Sequence, residues 1–283
     1  MKFTGLLSTL ALASTAVAAP GGKKASCSAE NTNVTLPTTT IAGVEVVWTK
    51  IVQDAAELVK EFIPLQPYLY NHVMRTWLLG SAAFNNNATL KASVDLEVHA
   101  LGSLLHDMAW DQRPNSPYNS HKYRFEVDSG AAAINFIKNH PDGSKWDANR
   151  IERVYDGISL QAIIGVADFK NIDTMWIVKS IGFEFPAPRS PLIPTKYWDS
   201  VQGEFTNSTL FRGTNDTFTR FCVKDPSTTY NTYLEVFGDE YVSGYSAVGS
   251  RLFDLIQDGL KGEVAQYPNV EFTPLPRVNS TSS

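Results

Sequence analysis

A histidine and an aspartate stand next to each other at the end of an apolar stretch, at His106 and Asp107. The stretch from Asp95 to Trp110 reads DLEVHALGSLLHDMAW, and its leucines are spaced as on a buried helix. A buried charge without a partner costs several kcal/mol, which is comparable with the whole stability of a domain. The sequence therefore predicts that another protein group or a metal ion pairs with this aspartate.

A second histidine, His72, precedes this pair by 34 residues. That gap fits a helix-loop-helix hairpin, which would bring the two sites together. Two imidazoles and a carboxylate, completed by a fourth oxygen ligand, are a ligand set for zinc, iron or manganese. Residue types alone also allow ordinary buried histidines with satisfied hydrogen bonds. The other histidines are expected in packing or solvated positions: His99, His121 and His140.

Apolar residues recur at helical spacing through most of the chain, and strands do not alternate with helices. This pattern predicts one all-α domain, a bundle of about eight to ten helices over residues 41–262. One predicted helix covers residues 90–109 and another covers residues 144–165. A β-branched run at 41–47 favours a strand or an extended lead-in. The polar segment 19–40 and the segment 263–283 are expected to be flexible tails.

The composition restricts the class of protein. A net charge of −5 with 43% hydrophobic residues gives no basic face for a nucleic acid. No apolar run after the N-terminus is long enough to span a membrane. Residues 1–18 combine Lys2, a short apolar core and a small-residue site ending at Ala18, which is typical of a cleaved signal peptide. An uncleaved anchor is the alternative, but the short core favours secretion.

Two further features agree with secretion. The chain has two cysteines, Cys27 and Cys222, which permit one disulfide in an oxidising compartment. Two unrelated thiols are also possible, because Cys222 lies in an apolar, helix-like context. Five segments match the N-glycosylation pattern, at Asn33, Asn87, Asn207, Asn215 and Asn279.

Three segments together are similar to the HD-domain superfamily of metal-dependent enzymes, and most similar to its cyanamide hydratase-like branch. They are residues 71–77 (NHVMRTW), 104–108 (LLHDM) and 124–131 (RFEVDSGA). The similarity extends over most of residues 40–260. It implies a helical bundle that holds a divalent metal through His72, His106, Asp107 and a later aspartate. Glu184 is the nearest counterpart of that aspartate, ahead of Asp168 and Asp173.

The same resemblance suggests catalytic roles. A metal lowers the pKa of a water molecule, and Asp107 would orient or deprotonate that water. At the position of a histidine in the branch, this chain has Gln161, which forms hydrogen bonds but does not titrate. Arg75, Arg124 and Glu126 are candidates for contacts around the ligands or, for the arginines, for phosphate binding.

Several functions remain open from the sequence. The first is a secreted metal-dependent hydrolase or hydro-lyase acting on a small substrate such as cyanamide or another nitrile. The second is a catalytically degenerate HD-fold protein that binds a partner, and it is raised by the changes at Gln161 and Glu184. A phosphohydrolase and a purely structural secreted protein are further alternatives. The scarcity of clustered Lys and Arg favours an uncharged substrate.

Overall fold

The computed structural model describes residues 36–185 and 189–274. The predicted all-α class is confirmed. The described residues contain eleven α-helices, slightly more than the eight to ten expected. The helices are α1 (Lys50–Leu58), α2 (Pro67–Asn85), α3 (Ala88–Ser93), α4 (Leu96–Leu105), α5 (Phe125–Asn139), α6 (Ala148–Ser159), α7 (Ile172–Gly182), α8 (Thr195–Glu204), α9 (Leu210–Lys224), α10 (Glu235–Tyr241) and α11 (Leu252–Gln266).

The helix predicted over residues 90–109 is in fact two helices, α3 and α4. Val94 is extended, with φ −109° and ψ 145°, and it ends α3. The Asp95 carboxylate then accepts hydrogen bonds from the backbone N–H groups of Glu97 and Val98 and so caps α4. Arg150 on α6 donates to the same carboxylate over 2.7 and 2.9 Å. The capping residue thus fixes the start of the helix that carries the candidate site.

A small hairpin precedes the helices and shortens the predicted N-terminal tail. Strand β1 (Thr38–Ile41) pairs antiparallel with β2 (Val44–Val47). The two turn residues, Ala42 and Gly43, have φ values of 46° and 74°, as a tight hairpin turn requires. Residues 38–40, expected in the flexible segment 19–40, are therefore in a strand, because the β-branched residues of β1 have a partner strand.

The helix predicted over residues 144–165 is shorter than expected. Helix α6 ends at Ser159, and residues 160–166 form successive turns instead of continuing to residue 165. Gly165 has a φ of 81°, which a glycine adopts without strain. These turns carry Gln161 and two isoleucines to the mouth of the cavity described below.

The C-terminal helix differs from the others in its surroundings. Helix α11 runs to Gln266, so the expected tail from residue 263 begins later. Its apolar side chains, such as Phe253 and Ile256, are exposed. Helix α11 therefore lies outside the core that the other described residues form.

Helix α2 lies at the centre of the core. Beside it, two glycines allow α4, α6 and α7 to approach one another closely. Gly102 on α4 and Gly157 on α6 both face Ile177 on α7. A Cβ atom added at Gly157 would come within 2.7 Å of the Ile177 side chain. The two glycines therefore let α4, α6 and α7 pack against one another beside the site.

Several features predicted for a secreted protein fall partly outside the described residues. The signal peptide and the disulfide stay predictions, because the described residues do not include residues 1–18, Cys27, Asn33 or Asn279. Cys222 is buried, and its Sγ lies 3.3 Å from the carbonyl oxygen of Leu234. The side chains of Asn87 and Asn207 are exposed, whereas Asn215 is half-buried on α9. No described helix combines the length and apolarity needed to cross a bilayer.

Candidate metal centre

Three ligand-type side chains meet in the core. His72 comes from the second turn of α2, and His106 and Asp107 directly follow the last residue of α4. All three are at most 1% exposed. The Nε2 atoms of the two histidines are 3.0 Å apart, and Asp107 Oδ2 lies 3.1 Å from that of His106 and 3.5 Å from that of His72. His72 therefore lies next to His106 and Asp107, as the sequence predicted.

The end of α4 explains how adjacent residues reach one point. Successive side chains on a regular helix point about 100° apart. Here His106 still has helical dihedral angles, whereas Asp107 has left the helix with φ −117° and ψ 27°. This change of direction brings the Asp107 carboxylate beside the His106 ring.

In each of the two imidazoles, the Nδ1 atom is hydrogen-bonded to an oxygen acceptor outside the trio. His106 Nδ1 donates to the carbonyl oxygen of Ser103 over 2.8 Å. His72 Nδ1 donates to the carboxylate of Glu184, two residues beyond the end of α7. With Nδ1 protonated, a neutral imidazole presents a lone pair at Nε2. Both lone pairs and the Asp107 carboxylate therefore point toward the same small volume.

This arrangement requires a cation. Two nitrogen lone pairs 3.0 Å apart beside a carboxylate repel one another unless a proton or a metal ion lies among them. Ligands bound about 2.1 Å from one metal ion are roughly 3.0 to 3.4 Å apart in octahedral or tetrahedral geometry. The three observed separations, 3.0, 3.1 and 3.5 Å, match that spacing. The side chains therefore fit a divalent metal.

The ionisation of the trio follows from its surroundings. Burial lowers the pKa of His72, but the carboxylates of Asp107 and Glu184 beside its two ring nitrogens outweigh burial and raise the pKa to about 9. Burial raises the pKa of Asp107, yet the neighbouring His106 and His72 leave it below its usual value. Without a metal, a proton on His72 would thus supply the positive charge. Neither Asp107 oxygen has a hydrogen bond of good geometry among the described residues.

Glu184 lies on the opposite side of the His72 ring from Asp107. Its carboxylate accepts from His72 Nδ1 and from Arg75, whose Nε and Nη2 both donate, the latter over 3.0 Å. Burial raises the pKa of Glu184, but His72 and Arg75 bring it below its usual value. The sequence suggested Glu184 as a ligand, whereas its position is that of a group orienting a ligand histidine. A fourth ligand from the protein is not present in the described cluster.

Arg75 is completely buried and joins Glu184 to another part of the fold. Its Nη1 donates to the carbonyl oxygens of Phe205 and Thr206, just beyond α8, over 3.1 and 2.7 Å. The sequence placed Arg75 near the ligands without naming its partner. Glu184 separates the guanidinium from the Nε2 atom of His72, and the guanidinium makes four hydrogen bonds to Glu184 and the two carbonyl oxygens.

The other predicted residues are distributed around the site. Gln161 donates from Nε2 to the His106 carbonyl oxygen over 3.1 Å, so it contacts the ligand loop directly. Arg124 and Glu126 pair with each other over 2.6 Å, and neither is hydrogen-bonded to the three ligand side chains in the described structure. Asp173 accepts from the Asp95 backbone N–H, away from the site.

A cavity of about 510 Å³ opens onto His72 and Asp107. Its walls are aromatic and aliphatic side chains, and Gln161 lies on one side. Sequence reasoning missed the wall residues Trp110, Phe185, Phe218 and Tyr233. Trp110 belongs to the apolar stretch of His106, and Phe185 follows Glu184, so their proximity in sequence was an available signal. Phe218 and Tyr233 had none.

Comparison with known proteins adds no family. The chain matches no protein-family model, and a search of curated proteins finds no match either. The resemblance to the HD-domain superfamily therefore depends on the sequence motifs given above.

Proposed function

We propose that this protein is a metal-dependent hydrolase or hydro-lyase that adds water to a small, uncharged electrophile such as a nitrile. The observation that supports it best is the mutual spacing of His72 Nε2, His106 Nε2 and Asp107 Oδ2, beside a cavity that His72 and Asp107 line. A divalent metal site needs histidines whose Nδ1 atoms are held by hydrogen bonds, so that Nε2 faces the metal, and it needs a buried carboxylate.

The chemistry follows from these residues. A bound zinc, iron or manganese ion supplies Lewis acidity, which lowers the pKa of water and polarises the substrate. Asp107 accepts a proton from water as the water oxygen bonds to the nitrile carbon, and it returns that proton to the nitrogen. The resulting imidic acid becomes the amide when its hydroxyl proton moves to nitrogen. With cyanamide as substrate, the product is urea.

Charge in the cavity favours an uncharged substrate over a phosphate ester. Among the described lining residues, Lys179 is the one Lys or Arg side chain, and its Nζ lies 3.8 Å from the Asp168 carboxylate. Arg75 and Arg124, the predicted phosphate partners, are held by Glu184 and Glu126 and do not line the cavity. We therefore rank the phosphohydrolase below the nitrile-directed activity.

The degenerate binding protein is the second candidate. It is favoured by the Gln161 side chain, which donates to the His106 carbonyl and does not titrate near neutral pH. Secretion remains part of the proposal on the evidence of the N-terminal sequence pattern.

Elemental analysis of the purified protein and of protein incubated with zinc, iron or manganese tests the metal site. We expect close to one equivalent of metal in the native chain and none in His106→Ala. His121→Ala is the matched control, because His121 is exposed and pairs with Asp225 instead. A native chain that retains no metal would refute the proposal.

Turnover separates the two candidates. Production of urea from cyanamide, or of amide from a nitrile, by the metal-loaded protein supports the enzyme. Stoichiometric metal without turnover of either substrate favours the binding protein.

A further inference from the structure

The cavity is large for the substrate that the resemblance implies. Its volume is about 510 Å³, within the roughly 300–1,000 Å³ typical of pockets for drug-sized ligands. Cyanamide has three non-hydrogen atoms and, at about 30 Å³ for each water-sized group, fills less than a fifth of that space. A substrate matched to this cavity carries an additional group.

The walls indicate the chemistry of that group. Trp110 stacks on His72 with ring centroids 6.1 Å apart, and Phe218 meets Trp110 edge-on at 5.1 Å. Tyr233 meets Phe218 edge-on at 5.5 Å, and on another side Phe185 meets His72 edge-on at 6.0 Å. Aromatic walls of this kind favour a flat ring, which can stack on one face and receive edges from others.

One part of the cavity rim is apolar, whereas the exposed pair Lys179 and Asp168 lines another part. Ile164 is fully exposed in the turns after α6, and it lines the cavity together with Ile163. A single exposed isoleucine is ordinary, but this one stands beside an aromatic pocket, where a ligand would cover it. The polar atoms of the proposed chemistry lie at the floor, so the electrophile would enter first and the ring would fill the outer part.

We infer that the substrate is an uncharged aryl compound, an aromatic nitrile in which the ring occupies the aromatic cavity and the nitrile carbon faces His72 and Asp107. The identity of the reacting group depends on the proposed function, whereas binding of the ring does not. Water adds across the C≡N bond, its oxygen to carbon and its two hydrogens to nitrogen, to give the aryl amide.

The test compares 4-fluorobenzonitrile with cyanamide by equilibrium binding. Calorimetry gives both dissociation constants, and fluorine NMR follows the aryl ligand, for metal-loaded protein and for protein treated with a chelator. We expect 4-fluorobenzonitrile to bind at least tenfold more tightly than cyanamide in the metal-loaded protein. In the chelator-treated protein the aryl ligand should still bind, because the ring is held by the aromatic walls and not by the metal.

Variants locate the ligand. Ile164→Asp should weaken 4-fluorobenzonitrile binding about five- to tenfold, because it removes apolar contact and places a charge at the mouth. Val248→Asp is the matched control, since Val248 is exposed and lies outside the cavity; it should leave that affinity unchanged. Cyanamide binding as tightly as the aryl nitrile, or equal effects of the two variants, would overturn the inference.

The two proposals fail separately. Aryl binding by a chain that takes up no metal would contradict the proposed function and leave the ring-binding cavity supported. Metal uptake with a preference for cyanamide would contradict the ring-binding cavity and leave the proposed function supported.

Discussion

The carboxylate of Glu184 gives the sharpest test of how the site is built, through the substitution Glu184→Gln. The native carboxylate accepts from His72 and from two nitrogens of Arg75, all buried. The amide keeps the size of the side chain but removes its charge, so the Arg75 guanidinium would remain buried without a carboxylate partner, held by neutral oxygens such as its two backbone carbonyls. Breaking one side of a buried ion pair costs about 3–5 kcal/mol. For a domain of this size that corresponds to a decrease in melting temperature of roughly 10 °C.

The same substitution should weaken metal binding without abolishing it. A group that orients a ligand histidine typically contributes about 10- to 100-fold to metal affinity. We expect that loss in a competitive titration against a chromophoric zinc chelator, with the stoichiometry still near one. Thermal unfolding of the metal-free protein measures the stability term independently.

Two further variants separate the effects. Arg75→Met combined with Glu184→Gln removes both buried charges and should recover much of the lost stability, while metal affinity stays low. Glu61→Gln is the control, because Glu61 makes an exposed ion pair with Arg113 over 3.0 Å and should cost less than about 1 kcal/mol. Complete loss of metal in Glu184→Gln, equal to that in His106→Ala, would show that Glu184 is a ligand and refute our reasoning.

Three other predictions concern pH and packing. Because the pKa of His72 is raised to about 9, the metal-free protein should lose about 3 kcal/mol of unfolding free energy as pH rises from 6.5 through 9. Bound metal should suppress this loss. Urea unfolding of chelator-treated and metal-loaded protein over this pH range checks both statements. Burial lowers the pKa of His99 to about 3, so its neutral form stabilises the fold above pH 6.5; from pH 6.5 to 5 the native chain should lose about 2 kcal/mol more than His99→Gln does, and an equal loss in both would contradict the assignment. Gly157→Ala should destabilise the domain by about 1–3 kcal/mol in urea unfolding, because its Cβ would clash with Ile177; Gly259→Ala on exposed α11, where no atom lies nearby, should not.

Much of the fold was predictable because its signals are local. Apolar spacing identified the helices, and residue type and spacing predicted that His72 lies near His106 and Asp107, as it does. The break between α3 and α4 was missed because apolar periodicity continues through Val94, although Asp95 is a good helix cap. A cap next to a periodic run is easily overlooked when the run is long.

The contacts of Glu184 could not be predicted in the same way. Its role depends on which nitrogen of His72 it approaches, and that is set by the packing of α2 against the end of α7, 112 residues away. Sequence gives the residue type but not the side of the ring. The aromatic wall is likewise formed by residues far apart in the chain, such as Trp110 and Phe218.

The contacts of Arg75 also determine when the site can exist during synthesis. Its guanidinium binds carbonyl oxygens 130 and 131 residues further along the chain, and its partner Glu184 follows 109 residues after it. A nascent chain that ends before Thr206 lacks the acceptors that hold Arg75, and through it Glu184 and His72. Metal binding at the proposed site would therefore follow synthesis of the chain through Thr206.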